Sequence, residues 1–332
     1  MKAAYITEQG TPEKFQIGDL PTPTAGPGQV LVRVHASGVN PIDTYIRGGA
    51  IPLPVEFPYI PGCDLAGVVE SIGEGVTNFQ PGDRVWASNQ SLFGRQGTLA
   101  EHIAVDSEWL YPMPEGMTYD QAAGMALVGI TAHLGLHLHA NIQPGEIVFV
   151  NGGTGGVGSM VIQLAKAAGA KVIATAGTEE KRAKCAELGA DLILDYKSST
   201  RDEEIQKFTE EHGGVDIFWE TQREPDLPRT IPLMKQRGRI IVMAGRDAQP
   251  QFPLGPFYVN DLRLLGFAMF NATPEEQAHC ARDLNELFSQ QKLEVLIGQT
   301  LPLDQAATAH QLQEDNTLQK SGTLSGKIVV TV

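Results

Sequence analysis

The chain has 332 residues, of which 42% are hydrophobic, enough for a large core and for more than one domain, and too apolar for a disordered protein. Its 25 Lys and Arg against 39 Asp and Glu leave a net charge of −14, which repels nucleic acid and anionic membranes as bulk surfaces while allowing a local basic pocket. Cys63, Cys185 and Cys280 lie far apart with no CxxC pair, which argues against a disulfide framework and a cysteine-rich structural zinc site. The N-terminal MKAAYITEQG lacks the apolar run of a signal peptide, and no stretch approaches about 18 uninterrupted apolar residues, so a reducing, cytoplasmic setting is expected.

Residues 1–122 read as short strands broken by Gly and Pro. Gln29–Ala36 alternates, with Val30, Val32 and Val34 on one side and Arg33 and His35 on the other. Leu65–Ile72, Arg84–Ala87 and Leu99–Val105 are further strands of an expected mostly-β unit. Tyr119–Leu138 is Ala- and Leu-rich and reads as a helix, despite Gly124, Gly129 and Gly135. After Pro144-Gly145 strands alternate with helices. The strands are Ile147–Val150, Lys171–Ala174, Asp191–Leu194, Val215–Trp219, Arg239–Met243 and Leu262–Ala268. The helices are Gly155–Ala168, Glu179–Leu188, Arg201–Glu211 and Leu227–Gln236. Such alternation predicts a doubly wound parallel sheet covered on both faces. The tail reads as helices over Pro274–Gln290 and Leu303–Leu312 and a closing strand over Gly326–Val332.

Asn151–Gly158 reads NGGTGGVG and matches GxGxxG between an apolar strand and a helix, the context a dinucleotide-binding turn requires. On that reading Gly153 allows the tight turn, Gly155 lets backbone approach the pyrophosphate, and Gly158 lets the helix lie close to the strand. Thr154, Gly156 and Val157 complete the turn, whose helix N-terminus offers unpaired N–H groups to phosphate. The absence of GK[ST] disfavours an ATP or GTP loop. NAD-binding folds place an acid near the end of the second strand to hold the ribose 2′-OH. Here that end reads Ala174-Thr175-Ala176-Gly177-Thr178, with Lys181 and Arg182 following, which favours a 2′-phosphate and hence NADPH. Tyr196, just past the third strand, can flank the adenine.

Six segments together are more specific than the turn: Gly38–Gly48 (GVNPIDTYIRG), Gly62–Gly67 (GCDLAG), Pro81–Val85 (PGDRV), Asn151–Gly158, Thr175–Glu180 (TAGTEE) and Gly238–Arg246 (GRIIVMAGR). With them the chain resembles, over essentially its whole length, the zinc-independent NADPH:quinone oxidoreductases of the medium-chain dehydrogenase/reductase superfamily, the zeta-crystallin-like group. The resemblance implies an α/β fold in which a Rossmann-type doubly wound parallel sheet is inserted in a mostly-β GroES-like catalytic domain. Residues 1–122 and 267–332 would form the catalytic domain and residues 123–266 the NADPH-binding domain. It further implies an active site in the cleft between domains and a homodimer paired through the edge of the cofactor-domain sheet.

Zinc-dependent relatives carry a cysteine ligand where this chain has Asn40, and His then Glu where it has Cys63 and Asp64, so no catalytic metal is expected. Asn40 and Tyr45 match residues lining the nicotinamide and substrate, and both can donate hydrogen bonds. Arg47 beside them reads either as added polarity or as a helix-surface charge. The resemblance also implies cofactor contacts at Thr131, Gly245, Arg246, Phe267, Ala268 and Phe270, at Lys327, and in the adenosine half at Thr175, Thr178, Lys181 and Tyr196. Three stretches depart from the family pattern: Trp219–Pro225 (WETQREP), Ser91–Gly97 (SLFGRQG) and a polar loop expected over Gln311–Leu324. The expected chemistry is transfer of reducing equivalents from NADPH to a quinone or α,β-unsaturated carbonyl, without metal. An enoyl-thioester reductase and a non-catalytic, crystallin-like NADPH-binding protein are the alternatives.

Overall fold

The computed structural model describes residues 1–51, 53–319 and 321–332. They divide into two units, Met1–Ile130 with Thr273–Ser289 and Val295–Val332, and Thr131–Ala272 with Gln290–Glu294.

The first unit begins with an antiparallel pair, β1 (Lys2–Tyr5) and β2 (Gln16–Asp19). Then come β3 (Gln29–Val39), helix α1 (Pro41–Arg47), β4 (Asp64–Ile72), β5 (Arg84–Ala87), β6 (His102–Asp106), β7 (Leu110–Pro112) and helix α2 (Tyr119–His133), whose last three residues belong to the second unit. The alternation read in β3 is present in part: Val30, Val32 and Val34 are buried and Arg33 is exposed, while Leu31 on the opposite side is buried as well. These valines pack with Leu65, Val69, Val85 and Ile103 in one core cluster, so the period-two pattern selects the buried face.

The second unit holds β8 (Ile147–Asn151), α3 (Gly156–Ala167), β9 (Lys171–Ala176), α4 (Glu179–Glu187), β10 (Leu192–Asp195), α5 (Arg201–Thr209), β11 (Val215–Glu220), α6 (Leu227–Thr230), β12 (Met234–Val242), α7 (Leu254–Val259) and β13 (Arg263–Gly266). Every pairing is parallel and the order is β10-β9-β8-β11-β12-β13. Numbered within this unit, that is 3-2-1-4-5-6, the doubly wound dinucleotide-binding arrangement, with its switch point between β8 and β11. Ile147 through Val150 are all buried, as a strand covered on both faces requires.

The chain closes in the first unit with α8 (Pro274–Ser289), β14 (Ile297–Pro302), α9 (Ala306–Thr317) and β15 (Lys327–Thr331). Strand β15 lies between β14 and β3, completing the order β14-β15-β3-β4-β5-β7, with β6 on β3.

Several boundaries differ from the sequence reading. The helix expected over Leu227–Gln236 stops at Thr230, turns through Ile231–Leu233, and gives way to β12 at Met234. Pro232 carries no N–H for a continuing helix, and parallel pairing of Met234 with Val215 takes over. The helix expected over Tyr119–Leu138 is regular only to His133; Leu134–His139 widens into a π-turn, with Ala140 N donating to Gly135 O at 2.9 Å. A Cβ at Gly135 would lie 2.2 Å from the Trp219 ring, so glycine admits that indole against the helix. The polar loop expected over Gln311–Leu324 is helical as far as Thr317, because α9 buries Ala309, His310 and Gln313 along one side. Strands β1, β2, β7 and β14 went unread; each is short, three to six residues.

Candidate cofactor site and a buried polar cluster

In the second unit the chain leaves β8 at Asn151 and enters α3 after four residues. The left-handed backbone conformation falls on Gly152, at φ 89°, rather than on Gly153. Gly153 is required by space: a Cβ there would lie 2.7 Å from Cys185 Sγ and 3.1 Å from Ala174 Cβ. Gly158 admits the helix to the turn, since its Cβ would lie 2.1 Å from Gly152 O. At Gly155, the helix N-cap, a Cβ would meet only Gly152 O, at 3.5 Å. Compared with Gly152, Gly153 and Gly158, Gly155 faces open space, as close approach of a phosphate needs. Thr154 beneath it is buried.

The turn is tied to the neighbouring strand. Gly153 N donates to Thr175 O at 2.8 Å and Gly152 N to Thr175 Oγ1 at 3.0 Å. Thr175 is fully buried, and its hydroxyl donates to Asn151 Oδ1 at 2.9 Å, so its side chain shapes the turn. Beyond β9, Thr178 caps α4, accepting from Lys181 N at 3.3 Å. Lys181 is half-buried in the first helical turn. Arg182, the other cation there, pairs with Asp195 at 3.1 Å. Tyr196 is exposed and its ring lies on Gly177, where a Cβ would come within 2.6 Å. The ring and Lys181 thus flank the end of β9, the adenosine side of such a fold.

Thr131, at the start of this unit, is buried with a hydroxyl that has no hydrogen-bond partner among the described residues. Gly245 follows β12 against the 221–225 turn, where a Cβ would lie 1.9 Å from Arg223 O, and Arg246 next to it is exposed. Phe267 stacks on His139 at 4.5 Å between ring centroids and meets Trp219 edge-on at 6.3 Å. Ala268 and Phe270 are half-buried beside a short 3-10 turn over Met269–Asn271. The open Gly155 position, the uncommitted Thr131 hydroxyl and the exposed Tyr196 ring are features a dinucleotide can use.

In the first unit the residues at zinc-ligand positions form a buried polar cluster. Asn40 precedes α1 and its N–H donates to Asp43 Oδ2 at 2.8 Å, one half of a capping box. Its side-chain amide donates to Asp64 Oδ2 at 2.8 Å, and its oxygen accepts from the Lys327 ammonium. Lys327 also donates to Val39 O at 2.6 Å and lies 3.9 Å from Asp64, which accepts from Ser88 Oγ at 2.7 Å. Asn40, Asp43, Cys63, Asp64, Ser88 and Lys327 are all buried. Burial pushes Asp43 up to about 7, against its bond with Cys63. Burial raises Asp64 as well, opposed first by Lys327, and holds the Cys63 thiol well above its ordinary range. A tetrahedral zinc site needs thiolate, imidazole or carboxylate donors turned to a common point. Here the thiol is held protonated, one donor is an amide, and an ammonium sits among them, so the set does not suit zinc.

Asn40 and Lys327 therefore spend their polar atoms inside the protein, whereas Tyr45 on α1 is half-buried. Arg47 is neither a surface charge nor open polarity: it is buried, paired with Glu314 and donating to Gly10 O at 2.9 Å. The 88–97 loop holds Asn89, Ser91 and Phe93 at positive φ, fastened by Tyr59 on Ser91 O at 2.9 Å and by Arg95 on Asn89 O at 2.9 Å. The sequence reading missed Asn151, Asp43 and Glu220 as site-shaping residues. Asn151 and Asp43 lay inside quoted motifs without a role of their own, and Glu220 left a signal as a charge in a stretch that departs from the family.

The strand order and glycine turn define a dinucleotide-binding protein. The protein-family description "Zinc-binding dehydrogenase" matches residues 156–286, and "Alcohol dehydrogenase GroES-like domain" matches residues 26–115. Human quinone oxidoreductase is 33% identical over 331 residues, covering 99% of this chain and 97% of that protein. A 2-haloacrylate reductase from Burkholderia is 30% identical over 93% of this chain and 94% of its own. The crystal structure of Escherichia coli quinone oxidoreductase complexed with NADPH superposes with a TM-score of 0.86 at 25% identity, covering 100% of both chains. The chain belongs to the zinc-independent quinone oxidoreductase, zeta-crystallin-like family of the medium-chain dehydrogenase/reductase superfamily.

Proposed function

We propose that this protein is an NADPH-dependent oxidoreductase that reduces quinones and α,β-unsaturated carbonyls without a metal ion. The observation that carries the reading is the turn at Asn151–Gly158, open at Gly155 and placed at the switch point of a 3-2-1-4-5-6 sheet. The relatives named as quinone oxidoreductase and 2-haloacrylate reductase supply the two acceptor classes. NADPH, when bound, supplies the hydride.

In this reading the N–H groups at the start of α3 hold the pyrophosphate, and Thr154, Gly156 and Val157 line it. Lys181 and Thr178 receive the 2′-phosphate, Tyr196 covers the adenine, and the Thr131 hydroxyl takes a partner near the nicotinamide. Gly245, Arg246, Phe267, Ala268 and Phe270 shape the remaining wall. The Tyr45 hydroxyl donates to the acceptor carbonyl as negative charge gathers on its oxygen. Asn40 and Lys327 act behind it, as the buried base on which α1 is seated. A quinone then takes a proton from solvent to leave as hydroquinone, and an enone takes its proton at the α carbon. The two units serve as catalytic and cofactor-binding domains.

The test is NADPH oxidation against ortho-quinones, para-quinones and enones, with NADH as control. Turnover with at least one acceptor is expected, and none with any acceptor would sink the reading. Lys181→Ala should lower kcat/KM for NADPH about tenfold and for NADH less than about threefold; equal losses would remove Lys181 from the 2′-phosphate.

We also propose a homodimer formed through β13. Among the described residues this strand pairs only with β12, and Leu254, Tyr258, Val259 and Leu264 beside it are exposed. Sedimentation should give twice the chain mass, falling to one with Val259→Lys combined with Leu264→Glu; a monomeric parent would refute this. The proposed location is cytoplasmic, supported by three cysteines that are buried and unpaired. Among the described residues no helix is long and apolar enough to cross a membrane.

A further inference from the structure

We infer that Glu220 is a positioning residue for the dinucleotide: with Asn151 and Thr175 it forms a hydrogen-bonded brace that holds the glycine turn in the shape the pyrophosphate requires. The inference rests on the NADPH reading above.

Glu220 ends β11, Asn151 ends β8, and Thr175 lies near the end of β9, three neighbouring strands whose carboxyl ends meet beneath the turn. Asn151 Nδ2 donates to both carboxylate oxygens of Glu220, at 2.9 and 3.1 Å. Thr175 Oγ1 donates to Asn151 Oδ1 and accepts from Gly152 N. The Thr221 hydroxyl donates to Asn151 O, and Gln222 N donates to Glu220 Oε1 at 2.7 Å.

The chain of bonds has one direction. Thr175 has a single hydroxyl proton, and its lone pairs are needed by the Gly152 N–H, so the proton goes to Asn151 Oδ1. That turns the Asn151 amide nitrogen toward Glu220, where an ionised carboxylate is an acceptor only. An apolar residue at 220 would take away the acceptor shared by the half-buried Asn151 amide and the Gln222 N–H, and the turn would lose both ties to β11. Burial pushes Glu220 up to about 7, opposed by Gln222 N–H, Asn151 and the Arg201 guanidinium. A buried carboxyl among donors alone is retained at a stability cost, which fits a group that sets geometry. It also gives a role to one charge of the departing Trp219–Pro225 stretch: Glu220 is folded inward as an anchor of the phosphate turn.

The test uses the full chain in two measurements. Amide hydrogen exchange over residues 152–158 without cofactor reads the brace itself, and calorimetric NADPH titration reads its consequence. Glu220→Ala should speed exchange of the turn and raise the NADPH Kd about tenfold or more, with kcat at saturation within about threefold. Glu220→Gln, whose amide oxygen can still accept from Asn151 and Gln222, should stay within about threefold of the parent Kd. Thr175→Val should reproduce the alanine effect and Thr175→Ser the parent, which covers an unfolded Glu220→Ala. Unchanged exchange in both Glu220→Ala and Thr175→Val, or a glutamine variant as impaired as alanine, would overturn the brace. A parent that does not bind NADPH would overturn the cofactor reading instead, while the exchange data would still judge the brace.

Discussion

Gly158→Ala is expected to lower NADPH affinity by about a hundredfold or more and to lower thermal stability as well. The added methyl would sit 2.1 Å from Gly152 O, 3.0 Å from Gly152 C and 3.3 Å from Gly153 Cα. These are backbone atoms, so no side chain can rotate to relieve the clash. Either α3 retreats from β8 or the turn shifts by about an ångström, and either displaces the N–H groups aimed at the phosphates. Gly155→Ala is the instructive contrast. Gly155 has φ −69° and ψ 164°, which alanine adopts freely, and the methyl would meet only Gly152 O at 3.5 Å. It should leave the melting temperature within a few degrees of the parent yet weaken NADPH binding, because the methyl occupies the ligand's approach. Calorimetry paired with thermal melts separates the two. Parent-like binding by Gly158→Ala would mean that the helix–turn contact is not what shapes the site.

Lys327→Met carries the second large effect, this time on the first unit. The methionine matches the lysine in length but removes the one ammonium within the Asn40, Asp43, Cys63 and Asp64 cluster. Breaking one side of a buried ion pair typically costs about 3–5 kcal/mol, which at this size moves Tm by on the order of 10 °C. The loss has a definite pH dependence. Asp43 and Asp64 are both held above their unfolded values, chiefly by burial, and Lys327 opposes that shift in each. A carboxyl raised on folding stabilises at pH below its unfolded value, and the stabilisation is lost as pH rises through its folded value. Without Lys327 both folded values climb further, so the deficit should be small near pH 5 and larger at pH 8, above the parent Asp43 value of about 7. Melts of parent and variant at those two pH values check the sign. A pH-independent deficit would mean that Lys327 contributes packing rather than charge. Lys327 itself is held below its ordinary value by burial, with Asp64 and Asp43 pulling it back up.

Much of this was legible in the residues because it is local or periodic. The apolar runs of the cofactor unit, the alternation of Val30, Val32 and Val34, and the glycine spacing of Asn151–Gly158 each act within a few residues and carry their own physical reason. The resemblance added the catalytic domain split around the cofactor domain and residues such as Thr131 and Phe267. What went unread was settled by partners distant in sequence. Met234 became strand because Val215 was there to pair with it. The polar stretch beyond Leu312 stayed helical because one of its sides is buried. Gly152 took the left-handed conformation, while Gly153 is needed for space, because Cys185 and Ala174 leave no room for a Cβ there.

The candidate site divides in the same way. The sequence by itself determined that a dinucleotide turn is present, that an acid is missing from the end of β9, and that asparagine and cysteine stand where zinc ligands could have been, since those are questions of residue type and spacing. Only the tertiary structure decided which of those polar atoms are still available. It turned Asn40 and Lys327 inward on each other, spent the Thr175 hydroxyl on the turn, and set Glu220 beneath it. A hydrogen bond uses up a donor and an acceptor, and whether a side chain remains for a ligand depends on neighbours that can be 287 positions away, as Lys327 is from Asn40.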